Sequence, residues 1–161
     1  MTQHRAKIVT VSDGVVAGTR EDHSGAALAG LLTSHGFDVA QHLRCPDELE
    51  QIAATLRSLA VGFKGLVVTT GGTGFAPRDV TPEATLLVLE RSAPGLAEAM
   101  RRVSPLGRLS RGAAGTSGSC LILNVPGSPS GAVECLQSVI DVLPHALELL
   151  AGAHDPHPPS G

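Results

Sequence analysis

The chain has 161 residues and a formal net charge of −3, with three Phe and neither Trp nor Tyr. That length suits one domain able to bury roughly two-thirds of its unfolded surface, while the charge and the scarcity of aromatic rings argue against nucleic-acid binding by a basic face or by base stacking. Ten Arg, against only Lys7 and Lys64, are scattered along the chain, which favours a small anionic ligand held locally over a polyanion. The first predicted strand, Lys7 to Val11, runs into Ser12-Asp13-Gly14. Ser24 is placed to cap a helix whose Leu28, Leu31 and Leu32 form one apolar face. A second strand, Phe37 to Leu43, leads to Cys45-Pro46-Asp47-Glu48, and Asp47-Glu48-Leu49-Glu50 has the form of a capping box before Ile52, Leu56 and Leu59. The third strand, Gly65 to Thr70, is followed by Gly71-Gly72-Thr73-Gly74 and then Thr81-Pro82, an N-cap hydroxyl with a proline preset for the first helical turn. Helices are predicted over Thr81 to Glu90 and Pro94 to Val103, separated because the residue before a proline avoids the α region. Pro105 to Gly118 has no regular pattern and reads as a ligand loop. A fourth strand, Ser119 to Asn124, opens onto Pro126-Gly127-Ser128-Pro129. One long helix, Ser130 to Ala151, turns Val133, Leu136, Val139, Ile140, Leu143, Leu147 and Leu150 inward, with a kink at Pro144. The tail from His154 is predicted to be disordered, leaving a single domain over residues 1–153.

Strands alternating with helices of this length predict βαβ crossovers and an α/β fold, a three-layer α/β/α sandwich around a mostly parallel sheet. In such a sheet ligands bind beyond the carboxyl ends of the strands, and all four predicted strands end in polar or glycine-rich segments. If the sheet is parallel these segments meet along one edge. There, Gly71, Gly72 and Gly74 let backbone N–H groups close on an anion, aided by the positive end of the following helix. Arg78 adds positive charge, and Asp79 is a carboxylate that would repel a phosphate unless a divalent cation intervened. Each segment also has a plainer reading. Asp47 can simply cap its helix, which its position favours, and Asp79 can bond the amides of its own turn. Ser12-Asp13-Gly14 and Pro126-Gly127-Ser128-Pro129 can be ordinary turns. The glycine cluster matches neither the Walker A nor the G-x-G-x-x-G spacing, so any ATP is handled without a P-loop lysine.

Cys45, Cys120 and Cys135 are odd in number and lack a C-x-x-C pair, which argues against a disulfide framework or a zinc knuckle and predicts reduced, partly buried thiols. No H-x-x-x-H or H-E-x-x-H spacing occurs, so a metal here would be a hard, oxygen-loving one. His145 reads as structural and His23 as solvated, although it could face the site. Met1 to Thr10 has no apolar h-region, and nowhere is there an apolar run of the ~20 residues that cross a bilayer. The expectation is a cytoplasmic protein without membrane or nucleic-acid partners.

The same segments resemble the molybdopterin adenylyltransferase family, the MoaB/Mog-like proteins that include the G domains of plant and animal molybdenum cofactor biosynthesis proteins. The resemblance runs from Val11-Ser12-Asp13 and Asp22-His23-Ser24-Gly25 through Pro46-Asp47-Glu48 to the block from Gly71-Gly72-Thr73-Gly74 to Thr81-Pro82-Glu83-Ala84-Thr85. It continues with Pro94-Gly95-Leu96, Leu109-Ser110-Arg111, Ala114-Gly115, Pro126-Gly127-Ser128-Pro129 and Leu143-Pro144-His145-Ala146. One departure is Gly14, where many members place Arg. The resemblance implies transfer of AMP from ATP to molybdopterin with release of pyrophosphate, magnesium as the metal, a homotrimer, and hand-over of product to a molybdate-insertion protein. It assigns Asp47 and Asp79 to the metal and the chemistry. Ser12, Asp13, Gly71, Gly72, Thr73, Gly74 and Arg78 fall to phosphate and nucleotide, and Ser110, Arg111, Pro126, Gly127 and Ser128 to the pterin side. The competing expectations are a non-catalytic molybdopterin carrier and an inactive oligomeric scaffold.

Overall fold

The computed structural model describes residues 3–152; the predicted disordered tail lies outside the described residues. In chain order the elements are β1 (Arg5–Val11), α1 (Asp13–Ala17), α2 (His23–Ser34), β2 (Asp38–Cys45), α3 (Leu49–Ala60), β3 (Gly65–Thr70), α4 (Thr81–Val88), β4 (Arg91–Ser92), α5 (Pro94–Arg101), a 3-10 turn (Pro105–Leu109), β5 (Ala114–Ser117), β6 (Cys120–Val125), α6 (Pro129–Gln137) and α7 (Leu143–Leu150). The sheet order is β2-β1-β3-β6-β5-β4. The first four of these strands are mutually parallel, and β5 and β4 add an antiparallel edge. The three-layer α/β/α arrangement is therefore as expected, with a mixed edge.

Period-two side-chain alternation divides the core between the two faces. Ala6, Ile8, Leu66, Val68, Leu121, Leu123 and Val125 pack under α2, α5, α6 and α7. Val9, Val11, Val67, Cys120 and Ile122 pack under α3 and α4. β3 and β6 are buried along their whole length, as a strand covered on both faces must be. Asn124 ties the layers at the ligand end of the sheet. Its Nδ2 donates to Thr69 Oγ1 (2.9 Å) and Thr85 Oγ1 (3.0 Å), and its Oδ1 accepts from the Ala113 N–H (3.0 Å).

Several local expectations are corrected. The N-cap of α2 is Asp22, whose carboxylate accepts from the Gly25 N–H at 2.9 Å, and Ser24 lies inside the helix. Thr81 is the first residue of α4 and not its cap; its hydroxyl donates instead to the Gly71 carbonyl at 2.9 Å. The predicted long final helix is two helices. Its first half stops at Ser138, whose hydroxyl donates to the Cys135 carbonyl (2.6 Å), and Pro144 sits in the first turn of α7, where a missing N–H leaves no helical bond unmade. Pro105 to Gly118, read as patternless, contains the 3-10 turn and β5. Cys45, Cys120 and Cys135 are free thiols and buried, and no described helix is long and apolar enough to cross a membrane.

Candidate active site

The chain passes from β1 outward to β2 and then returns to place β3 on the other side of β1, so the loops after β1 and β3 part and leave a crevice between them. Register makes the strand ends coincide. Val11 pairs with Cys45, Thr10 with Thr70, and Thr70 with Val125. The segments beginning at Ser12, Pro46, Gly71 and Pro126 consequently leave the sheet side by side.

Asp47 does not cap α3. The cap position belongs to Glu48, which makes no side-chain cap bond, while Asp47 exchanges hydrogen bonds with Asp13 in the neighbouring loop after β1. The Asp13 N–H donates to Asp47 Oδ2 and the Asp47 N–H donates to Asp13 Oδ1, both at 2.9 Å. Asp13 is in turn gripped by Arg78, through Nε (2.7 Å) and Nη2 (3.1 Å). Those bonds hold the Asp13 carboxyl below the ordinary aspartate value. Asp47 moves the other way: burial pushes its carboxyl up, and the negative charges of Asp13 and Asp79 add to that against the pull of the Asp13 N–H. Ser12 caps α1, its Oγ accepting from the Val15 N–H at 3.2 Å.

The glycine loop is held open by backbone geometry. Gly71 (φ +101°) and Gly72 (φ +69°) lie in the left-handed region, and a Cβ at either would strike the Val11 carbonyl or the Thr81 hydroxyl respectively. Gly71 donates its N–H to the Val125 carbonyl (3.1 Å), and Gly72 accepts from the Thr81 N–H through its carbonyl (3.1 Å). The free donors of the cradle therefore begin at Gly72: among the described residues the N–H groups of Gly72, Thr73 and Gly74 have no protein acceptor. Arg111 clamps the far side of the loop. Its N–H donates to the Thr73 carbonyl (2.9 Å), Nε to the Gly74 carbonyl (2.7 Å), Nη2 to the Asp79 carbonyl (2.7 Å) and Nη1 to Glu83. Asp79 Oδ2 accepts from the Ala76 N–H at 3.0 Å, the turn bond anticipated for it, and its other oxygen is uncommitted.

Two contiguous basins flank this loop. The first, about 410 Å³, is lined by Thr70, Gly71, Asp47 and Asp79 and by Arg20 to Ser24. The second, about 630 Å³, lies towards Thr73, Gly74, Ser110 and Leu106. Gly72, Asp79, Gly127 and Ser128 border both. Ser12 lines the first basin and Pro126 the second, whereas Asp13, Arg78 and Arg111 line neither and are bonded instead to Asp47, Asp13 and the glycine loop respectively. The sequence does not single out Thr10, Arg20, Asp22 or His42 as site residues. Asp22, nearly buried, accepts from Thr10 Oγ1 (2.8 Å) and lies 2.9 Å from His42 Nε2, which fastens the start of α2 to β1 and β2. The one sequence signal for it is the Asp22-His23-Ser24-Gly25 segment.

The chemistry of the donors fits a magnesium ion. Among the described residues no three His, Cys, Asp or Glu side chains cluster as a metal site. Asp47, whose charged form is disfavoured without a nearby cation, and Asp79 each retain a carboxylate oxygen free of protein hydrogen bonds. One or two carboxylates completed by water and substrate phosphate is the usual demand of magnesium.

A doubly wound α/β fold with acidic residues and a glycine cradle at its switch point defines a nucleotide- or phosphate-handling protein. Residues 7–145 match the family described as "Probable molybdopterin binding domain". The chain is 38% identical to a molybdopterin adenylyltransferase of Helicobacter pylori strain J99, covering 90% of this chain and 86% of that protein. It is 37% identical to the molybdopterin adenylyltransferase of Escherichia coli K12, over 96% and 89% of the two chains. The crystal structure of the molybdopterin biosynthesis enzyme MoaB of Thermus thermophilus superposes with a TM-score of 0.88 at 49% identity, over 93% of this chain and 98% of that one. The chain belongs to the MoaB/Mog-like family of molybdenum cofactor biosynthesis proteins.

Proposed function

We propose that the protein is a molybdopterin adenylyltransferase, transferring AMP from ATP to the terminal phosphate of molybdopterin. The supporting observation is the pair of basins meeting over Gly72, Asp79 and Gly127, which suits two anionic substrates that must react at a shared boundary. In the reaction a molybdopterin phosphate oxygen attacks the α-phosphorus, a P–O–P bond forms, the α–β bond breaks and its electron pair leaves on pyrophosphate. The acceptor needs no general base, because a phosphate monoester with a second pKa of about 6 is largely a dianion at neutral pH. What the protein supplies is position and charge. The free N–H groups of Gly72, Thr73 and Gly74 bind a phosphate at the boundary, and Ser128, whose Oγ accepts from the Gly131 N–H at 3.2 Å, keeps its hydroxyl proton for a ligand. Ser110 borders the pterin basin. Asp47 and Asp79 would hold magnesium, which when bound shields phosphate charge that otherwise repels at about 4 kcal/mol per pair of unit charges about 4 Å apart.

A homotrimer, a cytoplasmic location and delivery of product to a molybdate-insertion protein complete the proposal and are carried by the family resemblance. The test is anaerobic incubation with molybdopterin, ATP and magnesium, following adenylylated molybdopterin by mass spectrometry. Asp79→Asn should keep the fold and pterin binding while product formation falls about 10²-fold or more. Tight pterin binding by the wild type without product would mark a carrier, and turnover undiminished in Asp79→Asn would remove the carboxylate from the chemistry.

A further inference from the structure

We infer that Arg20 anchors the β- and γ-phosphates of the nucleotide, and so the departing pyrophosphate; the inference rests on the adenylyltransferase reading above. The first basin is strongly acidic. It is lined by the carboxylates of Glu21, Asp22, Asp47 and Asp79, and its basic side chains are Arg20 and His23. His23 stands 3.2 Å from Glu21, and Asp22 is engaged by Thr10 and His42. Outside the lining, Arg78 is occupied by Asp13 and Arg111 by the glycine loop. Among the described residues, no ion pair or side-chain hydrogen bond engages Arg20. A triphosphate entering this acidic basin therefore meets one uncommitted guanidinium, the side chain best shaped to take two phosphate oxygens at once.

The backbone beneath Arg20 is pinned at both ends. The Gly14 carbonyl accepts from the N–H of Thr19 (2.9 Å), the N–H of Arg20 (3.2 Å) and the hydroxyl of Thr19 (3.2 Å). Two residues further on, Asp22 fixes the start of α2. The arginine lies beside residue 14, where a Cβ would stand 3.3 Å from Arg20 Cβ and 3.8 Å from Nε, so Arg20 and Gly14 are direct neighbours. Direction follows from in-line displacement. If the acceptor phosphate approaches from the basin of Thr73, Gly74 and Ser110, the leaving group must point away from it, into the first basin, whose lining includes Arg20.

The test is titration calorimetry of magnesium-ATP, magnesium-pyrophosphate and AMP with the wild type, Arg20→Ala and Arg20→Lys. Arg20→Ala should weaken ATP and pyrophosphate about tenfold and AMP less than about twofold, with Arg20→Lys between and melting temperatures unchanged. In turnover the loss should appear in KM for ATP and not in KM for molybdopterin. Equal ATP affinity in wild type and Arg20→Ala overturns this inference alone, as does an equal loss for AMP. A wild type that binds none of the three overturns the adenylyltransferase reading together with it.

Discussion

At the residue scale the decisive side chain is Asp47, which sits where a helix cap belongs but does no capping. Its carboxylate accepts one N–H from Asp13, is half withdrawn from water, and faces the charges of Asp13 and Asp79. An ionised carboxylate so placed destabilises the folded chain in the absence of a cation. Asp47→Asn can keep the accepting oxygen for Asp13 while removing the charge. The expected outcome is a melting temperature in metal-free buffer unchanged or raised, by about 2–4 °C for each ~1 kcal/mol of strain relieved, alongside adenylyl transfer reduced by orders of magnitude. A cap would behave differently, since its loss costs about 1 kcal/mol of stability. Calorimetry of the variant beside its activity separates the two, and a destabilised variant with activity proportional to its folded fraction would return Asp47 to a structural role. Sequence could bring Asp47 to the right edge of the sheet but could not choose between these roles. The choice depends on Asp13, 34 residues away, whose distance is set by strand register.

At the element scale, the glycine loop is shaped by what holds it from behind. Arg111 reaches it from the segment before β5, joining the loop carbonyls to Glu83 in the first turn of α4. The Arg111 guanidinium lowers the Glu83 carboxyl below its ordinary value of 4.5. A depressed carboxylate contributes stability that is complete above its unfolded value and lost as pH falls through the folded one. The melting-temperature gap between wild type and Glu83→Gln should therefore be constant near about pH 6 and narrow below pH 4.5, and a gap that persists unchanged to about pH 3 would sink the assignment. This clamp was not legible in the sequence, where Arg111 reads as a ligand donor in a patternless loop. Four-residue β5, with the sequence Ala-Gly-Thr-Ser, and two-residue β4 are too short and too poor in β-branched residues to show alternation; they exist because β6 offers an open edge. Long apolar runs such as Leu66-Val67-Val68 were legible because burial on both faces leaves no other composition workable. The split of the final helix is marked in the sequence only by Pro144, which reads as a kink and not as a first turn, because Val139, Ile140 and Leu143 keep helical spacing across the break while packing on the same core.

At the scale of the whole molecule, function depends on the topology placing β1 and β3 side by side with their following loops diverging. The four polar strand ends could be read from sequence as converging if the sheet were parallel. That the crevice divides into two basins could not, because the boundary between them is made by Gly72, Asp79, Gly127 and Ser128 meeting from loops far apart in the chain. Gly127 approaches so closely that a Cβ would lie 3.3 Å from Gly71 Cα. With this ridge between them, a ligand confined to one basin should not displace a ligand confined to the other, whereas a molecule that spans the ridge should displace both. Saturating magnesium-pyrophosphate is accordingly expected to compete with ATP and to change molybdopterin affinity less than about twofold, a change smaller than about 0.4 kcal/mol. Adenylylated molybdopterin, which joins molybdopterin to the AMP part of ATP on one chain of bonds, should exclude each of the two substrates. Fluorescence titration of molybdopterin with and without pyrophosphate checks the first half and product inhibition kinetics the second. Competition between pyrophosphate and molybdopterin would mean that the two basins act as one cavity, and that the in-line path across Gly72 and Asp79 is not the route of transfer.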